Sequence, residues 1–353
     1  MKIKVAILEK DQNYLKRIVT AFGSKYSDKF EIYSFTDDKI AIKALEDSRI
    51  DVFVASAVFE IDLEALPKRC GFAYLVDSPE IYTINEQRTI CKFQKADLIY
   101  KQILSIYSEN AGSVSGLKLG DDSTKIITFA SPSGGVGTSC MSASCAIKLA
   151  KTGKKVLYLN FEKFGSPDMF FEAEGMFDMS DIIYALKSKK ANLTMKLESC
   201  VKQDATGVYF YSQAKVALDM FEINSEEIIR LISKLKLSGT YDYIIIDIDF
   251  SMSKDYMKVY KQGHAVVWVG DGSKYSNFKI KRAYAAMSIM ERNEDDSLLN
   301  RMCLAYNKFS SKTSTMLENI DMKSIGGAPT YLHASVKQVV EQLSEMDMFE
   351  KII

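Results

Sequence analysis

The stretch that most constrains this chain is Phe129-Ala-Ser-Pro-Ser-Gly-Gly-Val-Gly-Thr-Ser-Cys140. The apolar run Lys125 to Ala130 leads into it and reads as a buried strand. Small and apolar residues at helical spacing, Met141 to Lys151, lead out of it and stop at Gly153. Strand, glycine-rich loop and helix in that order make a phosphate-binding loop. Gly134, Gly135 and Gly137 supply backbone angles closed to other residues. Successive N–H groups can then turn inward as an anion nest at a helix N-terminus. Ser139 stands where the hydroxyl of such a loop meets Mg2+. The usual loop ends Gly-Lys-[Ser/Thr] and its deviant form begins Lys-Gly-Gly; here those two lysine positions hold Thr138 and Ser133.

The 353 residues give room for two α/β domains. Before the loop, runs at Ile3–Leu8, Phe30–Phe35, Ile50–Ala55, Phe72–Val76 and Thr89–Phe93 read as strands, with helical segments between them and a closing helix from Ala96 to Tyr107. That alternation predicts a parallel sheet covered on both faces, a flavodoxin-like domain over 1–110. Residues 111–124, rich in glycine and serine, read as a linker. Residues 125–353 form the second domain, with further strands at Val156–Leu159, Gly207–Tyr211, Tyr241–Asp247, His264–Gly270 and Met302–Tyr306. A helix capped by Ser225, a turn at Gly326–Pro329 and a final helix from Ser335 to Phe349 complete it. Asp247 ends an isoleucine run, where a phosphate-loop protein places the acid that holds Mg2+ through water.

Composition narrows the function. A net charge of zero argues against a nucleic-acid partner. The basic, aromatic cluster of Lys274, Tyr275, Phe278, Lys279, Lys281 and Arg282 therefore reads as a solvated helix face. Six scattered cysteines without a C-x-x-C pair fit a reduced, cytoplasmic chain with neither disulfide framework nor zinc site. Met1 to Leu8 starts a strand at once and is too short for a signal peptide. No apolar run approaches the ~20 residues of a membrane span. Glu341, Glu345, Asp347 and Glu350 give the C-terminus the wrong sign for anionic lipid, so Met346, Met348 and Phe349 are expected in the core.

The first half resembles the receiver domain of response regulators, with its site eroded. Glu9-Lys10-Asp11 stands at the acidic pair, Ser56 at the phospho-accepting aspartate, and Lys92 matches the receiver's lysine. A pseudo-receiver acting as a docking surface is the expectation. The second half resembles the MinD/ParA group of deviant phosphate-loop ATPases, and the pairing of the two looks like the TadZ/CpaE family of pilus-assembly proteins. Phe177 to Leu186 and Glu222 to Ile232 carry the narrower resemblance.

The resemblance implies ATP and Mg2+ as cofactors. It places nucleotide contacts at Ser133, Gly134, Gly135, Val136, Gly137, Thr138, Ser139, Cys140, Asn307, Lys308 and Pro329, with Mg2+ at Ser139 and, through water, Asp247. Asn307 would meet the adenine edge. Asn160 and Glu162 stand at an Asp-x-Asp, so Glu162 keeps the carboxylate that helps place the attacking water. The family implies a homodimer that positions pilus or secretion machinery, at a cell pole or the inner face of the membrane, through its N-terminal domain. The missing lysines point to weak or absent hydrolysis, an active but slowly cycling ATPase being the alternative.

Overall fold

The computed structural model describes residues 2–110, 124–188, 192–292, 297–318 and 320–352. The linker expected at 111–124 lies, except for Thr124, outside them. The described residues fall into two units.

The first unit is built on a sheet of β1 (Ile3–Leu8), β2 (Phe30–Phe35), β3 (Val52–Ser56), β4 (Gly71–Val76), β5 (Thr83–Ile84) and β6 (Gln87–Cys91), in the order β2-β1-β3-β4-β6-β5. All pairings are parallel except β5 with β6. Alternation along the strands sends Val5, Ile7, Val52 and Val54 to one face. There they meet Leu15, Ile18 and Phe22 of α1 (Gln12–Lys25) and Ile99 and Ile103 of α3 (Ala96–Asn110). Ala6, Leu8, Phe53 and Ala55 point the other way, onto Ala41 and Leu45 of α2 (Asp38–Asp47).

Two expected helices of this unit are replaced. Between β3 and β4 there is only a 3-10 turn, Leu63–Ala65, ahead of Pro67. Between β4 and β6 the chain makes a hairpin, with positive φ at both Asn85 (48°) and Glu86 (63°). Two left-handed residues in a row are what a two-residue turn between twisted strands requires.

The first unit also recruits α6 (Leu193–Cys200), which follows α5 (Met179–Lys187) far along the chain and packs on α3. Lys196 is buried, its amine 2.9 Å from Ser105 Oγ and 3.5 Å from Glu109 Oε1. Tyr100 donates its hydroxyl to Glu198 at 2.8 Å, and Lys29 pairs with the same carboxylate at 3.1 Å. The sequence range 125–353 had placed this helix with the second domain.

The second unit is a sheet of β7 (Lys125–Ala130), β8 (Val156–Asn160), β9 (Lys202–Gln203), β10 (Tyr209–Phe210), β11 (Tyr243–Asp247), β12 (Ala265–Gly270), β13 (Met302–Tyr306) and β14 (Lys323–Gly327). Its order is β14-β13-β12-β7-β11-β8-β10-β9, parallel except for β9 against β10. Gly326 and Gly327 thus belong to a strand, where a turn was expected. α4 (Thr138–Lys151) follows β7, and α7 (Asp219–Glu222), α8 (Ser225–Ser238), α9 (Lys254–Tyr260) and α10 (Lys274–Met290) come later.

The cap of α8 is Asn224, whose side chain accepts from Glu227 N in a reciprocal capping box; Ser225 is the first helical residue. The final helix is α11 (Val336–Ser344), where Ser144 Oγ donates to the Val340 carbonyl at 3.0 Å. A separate 3-10 segment, Asp347–Ile352, then buries Met348 and Phe349 in the core.

Candidate functional site

Register brings the site together. Phe129 of β7 pairs with Asp247 of β11, and Asp247 with Asn160 of β8. The loop after β7 and the ends of β8 and β11 therefore share one edge, the carboxyl edge of a parallel sheet, where such sheets bind ligands.

Gly135 and Gly137 take φ of 78° and 85°, and Gly137 is the N-cap of α4. A Cβ on Gly137 would lie 2.4 Å from Asn307 Nδ2, so the position excludes side chains on two counts. Ser133 is buried, and its N–H and carbonyl are both held by Ser131 Oγ, at 3.0 and 2.8 Å. Gly134 and Gly135 are exposed at the crest.

Asn307 and Lys308 leave the end of β13 and reach this loop. Asn307 donates Nδ2 to the Val136 carbonyl at 2.9 Å, and Lys308 donates its amine to the Gly135 carbonyl at 2.8 Å. The amide expected on an adenine edge is thus bonded to the loop itself. Pro329 is exposed just past β14, next to Ala328, which donates its N–H to Tyr306. Cys140 is half-buried in the first turn of α4, and burial raises its thiol above the ordinary range.

Below the loop lies a polar network. Ser139 Oγ donates to Glu162 Oε2 at 3.1 Å. Asn160 Nδ2 reaches Asp247 Oδ2 at 3.1 Å and Glu162 Oε2 at 3.2 Å, while Asn160 Oδ1 accepts from Glu162 N at 3.0 Å. Tyr158 donates its hydroxyl to Asp247 Oδ2 at 2.8 Å. Asp247 is fully buried and its Oδ1 has no hydrogen-bond partner. Burial, and next the charge of Glu162, push its carboxyl up to about 8, against the hydroxyl of Tyr158.

The sequence reading omitted Tyr158. Its signal was periodicity: Tyr158 and Asn160 are two apart on β8 and so point to one face.

The first unit's eroded receiver site is filled from within. Lys92 pairs with Glu9 at 2.6 Å and with Asp77 at 2.9 Å. Burial opposes the charge on Glu9, but the Lys92 amine holds its carboxyl below the usual range. Asp11 serves as the N-cap of α1, accepting from Asn13 N at 2.8 Å. Lys10 lies over the Phe59 ring, 5.1 Å from its centroid. Ser56 is buried at the end of β3. The acids and the lysine are thereby engaged with one another or with the backbone. Among the described residues no helix is long and apolar enough to cross a membrane.

Residues 1–108 match the family model of the TadZ-like receiver domain, and residues 124–291 match that of an AAA domain. The septum site-determining protein MinD of Helicobacter pylori is 32% identical over 125 residues, which are 35% of this chain and 43% of that protein. The match thus spans less than half of that relative's length.

Among solved structures, a ParA family ATPase from Chlorobium tepidum superposes with a TM-score of 0.52 at 20% identity, covering 66% of this chain and 96% of that one. The MinC:MinD cell division protein complex of Aquifex aeolicus gives 0.51 at 18% identity, covering 65% and 95%. At that identity the likeness speaks for the fold.

Proposed function

For a chain that joins a TadZ-like receiver domain to a P-loop domain of the MinD/ParA type, we propose an ATP-binding, dimerising scaffold that positions pilus or secretion machinery and hydrolyses ATP weakly or not at all. The observation that carries it is the combination of an intact nest with a buried, half-unpartnered acid beneath it. Gly135 and Gly137 hold the left-handed angles the nest needs, and the N-terminus of α4 points its N–H groups at the same place.

The residues fit Mg2+. Ser139 supplies a hydroxyl, and Asp247 Oδ1 is a buried carboxylate oxygen without a hydrogen-bond partner. When bound, the ion would neutralise phosphate charge. Ser139 would hold it directly and Asp247 through water. Glu162, fixed by Ser139 and Asn160, would orient a water. Neither Ser133 nor Thr138 brings a positive charge to a transferring phosphoryl group, which favours binding over turnover.

The N-terminal domain would serve as the docking surface. Ser56 stands at the receiver's acceptor position and Lys92 is paired with Glu9, whereas Val58 and Phe93, just beyond β3 and β6, are 60% and 74% exposed. The homologous MinD in the Aquifex aeolicus structure is seen in complex with MinC, which supports partner binding as a use of this fold.

Calorimetry tests the nucleotide reading. ATP with Mg2+ should bind the full chain and raise its melting temperature, because a ligand that binds only the folded state must stabilise it. No heat and no thermal shift at millimolar nucleotide would reject it.

A further inference from the structure

We propose that the outward face of α10 is a membrane-surface site that holds the chain to anionic phospholipid. This does not rest on the nucleotide-binding reading. α10 buries Ser276, Asn277, Ile280, Ala283 and Met287. Its opposite face carries a second stripe. Tyr275, Phe278, Arg282, Ala285 and Ile289 follow one another three and four residues apart in turn, the spacing that lines up side chains along a helix. All five are exposed, Tyr275 by 69%, Phe278 by 57% and Ile289 by 75%. A solvated face has no use for large apolar side chains set in one line.

The charge on this helix has one sign. Lys274, Lys279, Lys281 and Arg282 are its cations, and none of its 17 residues is an acid. Helical spacing puts Lys274 and Lys281 along one border of the stripe and Lys279 along the other. The Lys279 amine lies 4.8 Å from the centroid of the Tyr275 ring, and the Arg282 guanidinium 5.7 Å from that of Phe278. The flanking acids are engaged. Asp271 accepts from Ser273 N at 2.9 Å, and Glu291 is buried and accepts from Leu298 N at 2.8 Å. Glu294, Asp295 and Asp296 come only after the helix has ended.

That pattern selects the occupant. A second copy of α10 would set these cations against their own kind, and like charges repel. Duplex nucleic acid would take the cations but leave Ala285 and Ile289 without a partner. A partner helix would have to bury Arg282 in the middle of its seam. An anionic bilayer surface satisfies the whole stripe. Tyr275 and Phe278 would lie at headgroup depth and Ile289 at the acyl boundary. The lysines and Arg282 would reach the lipid phosphates on their apolar stems.

The test is flotation of the full chain, without nucleotide, with vesicles of phosphatidylcholine and with vesicles of an equal mixture of phosphatidylcholine and phosphatidylglycerol. Wild type should bind the mixed vesicles and ignore the neutral ones. The double variant Lys281→Gln with Arg282→Gln should weaken binding by about 30-fold, the loss of two surface cations. Phe278→Ser should weaken it by about 10-fold through lost apolar burial. A wild type that stays off the mixed vesicles, or variants that bind them as well as wild type, overturns the inference. So does a wild type held by random-sequence duplex DNA and by neither vesicle, or a sedimentation mass that falls in Phe278→Ser, which assigns the face to a second copy. Unchanged melting temperatures of the variants show that a loss of binding is not a loss of fold.

Discussion

Asp247→Asn should make the nucleotide-free protein more stable at neutral pH and remove its response to Mg2+. The carboxyl is fully buried, one oxygen has no hydrogen-bond partner, and Glu162 adds its own charge nearby. Keeping a buried acid protonated at neutral pH is costly because the unfolded acid would ionise, and the amide that replaces it can still accept from Tyr158. The sign follows from linkage. The folded carboxyl titrates at about 8 and an unfolded aspartate at roughly 3.9. The folded state therefore holds the proton over that window while the unfolded state gives it up.

The stability tied to this group is complete below about pH 4 and drains away as pH rises towards 8. The advantage of Asp247→Asn should widen over the same range, by up to about 1.4 kcal/mol per pH unit. Melting curves of both proteins at pH 5 and pH 8 check this. A variant that is less stable than wild type at pH 8 would show that the carboxylate is well paired in the free protein. With ATP present, adding Mg2+ should raise the melting temperature of the wild type and leave the variant's almost unmoved.

The second large effect concerns α6. Leu193, Leu197 and Cys200 are buried in the unit that also contains α3, and Lys196 is buried with its amine on Ser105. Leu197→Ala should therefore destabilise the N-terminal unit, although it lies almost ninety residues beyond the end of α3. Truncating a buried leucine costs roughly 2–5 kcal/mol. Hydrogen exchange of the full chain resolves where that cost falls. Amides of α3, Ala96–Asn110, should lose protection, while those of β7 and β11 keep theirs. Unchanged protection in α3, with loss confined to the P-loop sheet, would mean that α6 does not support the first unit.

These two cases also mark what the sequence could and could not tell. β7, its loop, α4 and the buried acid at the end of β11 were readable, because glycine spacing and unbroken apolar runs are local signals. The match of residues 1–108 to a TadZ-like receiver domain and of residues 124–291 to an AAA domain agrees with the two resemblances, the first of which rests on the alternation of strands and helices. α6 was not readable: its helical pattern is local, but which α3 face it covers is a long-range choice that no periodicity encodes.

The hairpin at Asn85–Glu86 was missed because the turn lacks the glycine that usually marks it. Asn224 was passed over as a cap because Ser225, an equally good capping residue, stands beside it. At the site, Asn307 and Lys308 were named as nucleotide contacts, but their bonds to Val136 and Gly135 depend on how β13 lies relative to β7 across β12. Side-chain targets of that kind follow from sheet order, which the sequence leaves open.

The central claim is that nucleotide turns this chain into a dimer. A nucleotide at the carboxyl edge of an open sheet has one side uncovered, and a second copy could close it. ATP must then bind the dimer more tightly than the monomer by the same factor that dimerisation tightens ATP. Sedimentation velocity of the full chain, run without nucleotide, with Mg-ADP and with Mg-ATP, measures this most directly. The account predicts a shift from monomer towards dimer with Mg-ATP. A mass that stays the same in all three conditions, at nucleotide concentrations where calorimetry records binding, would contradict it.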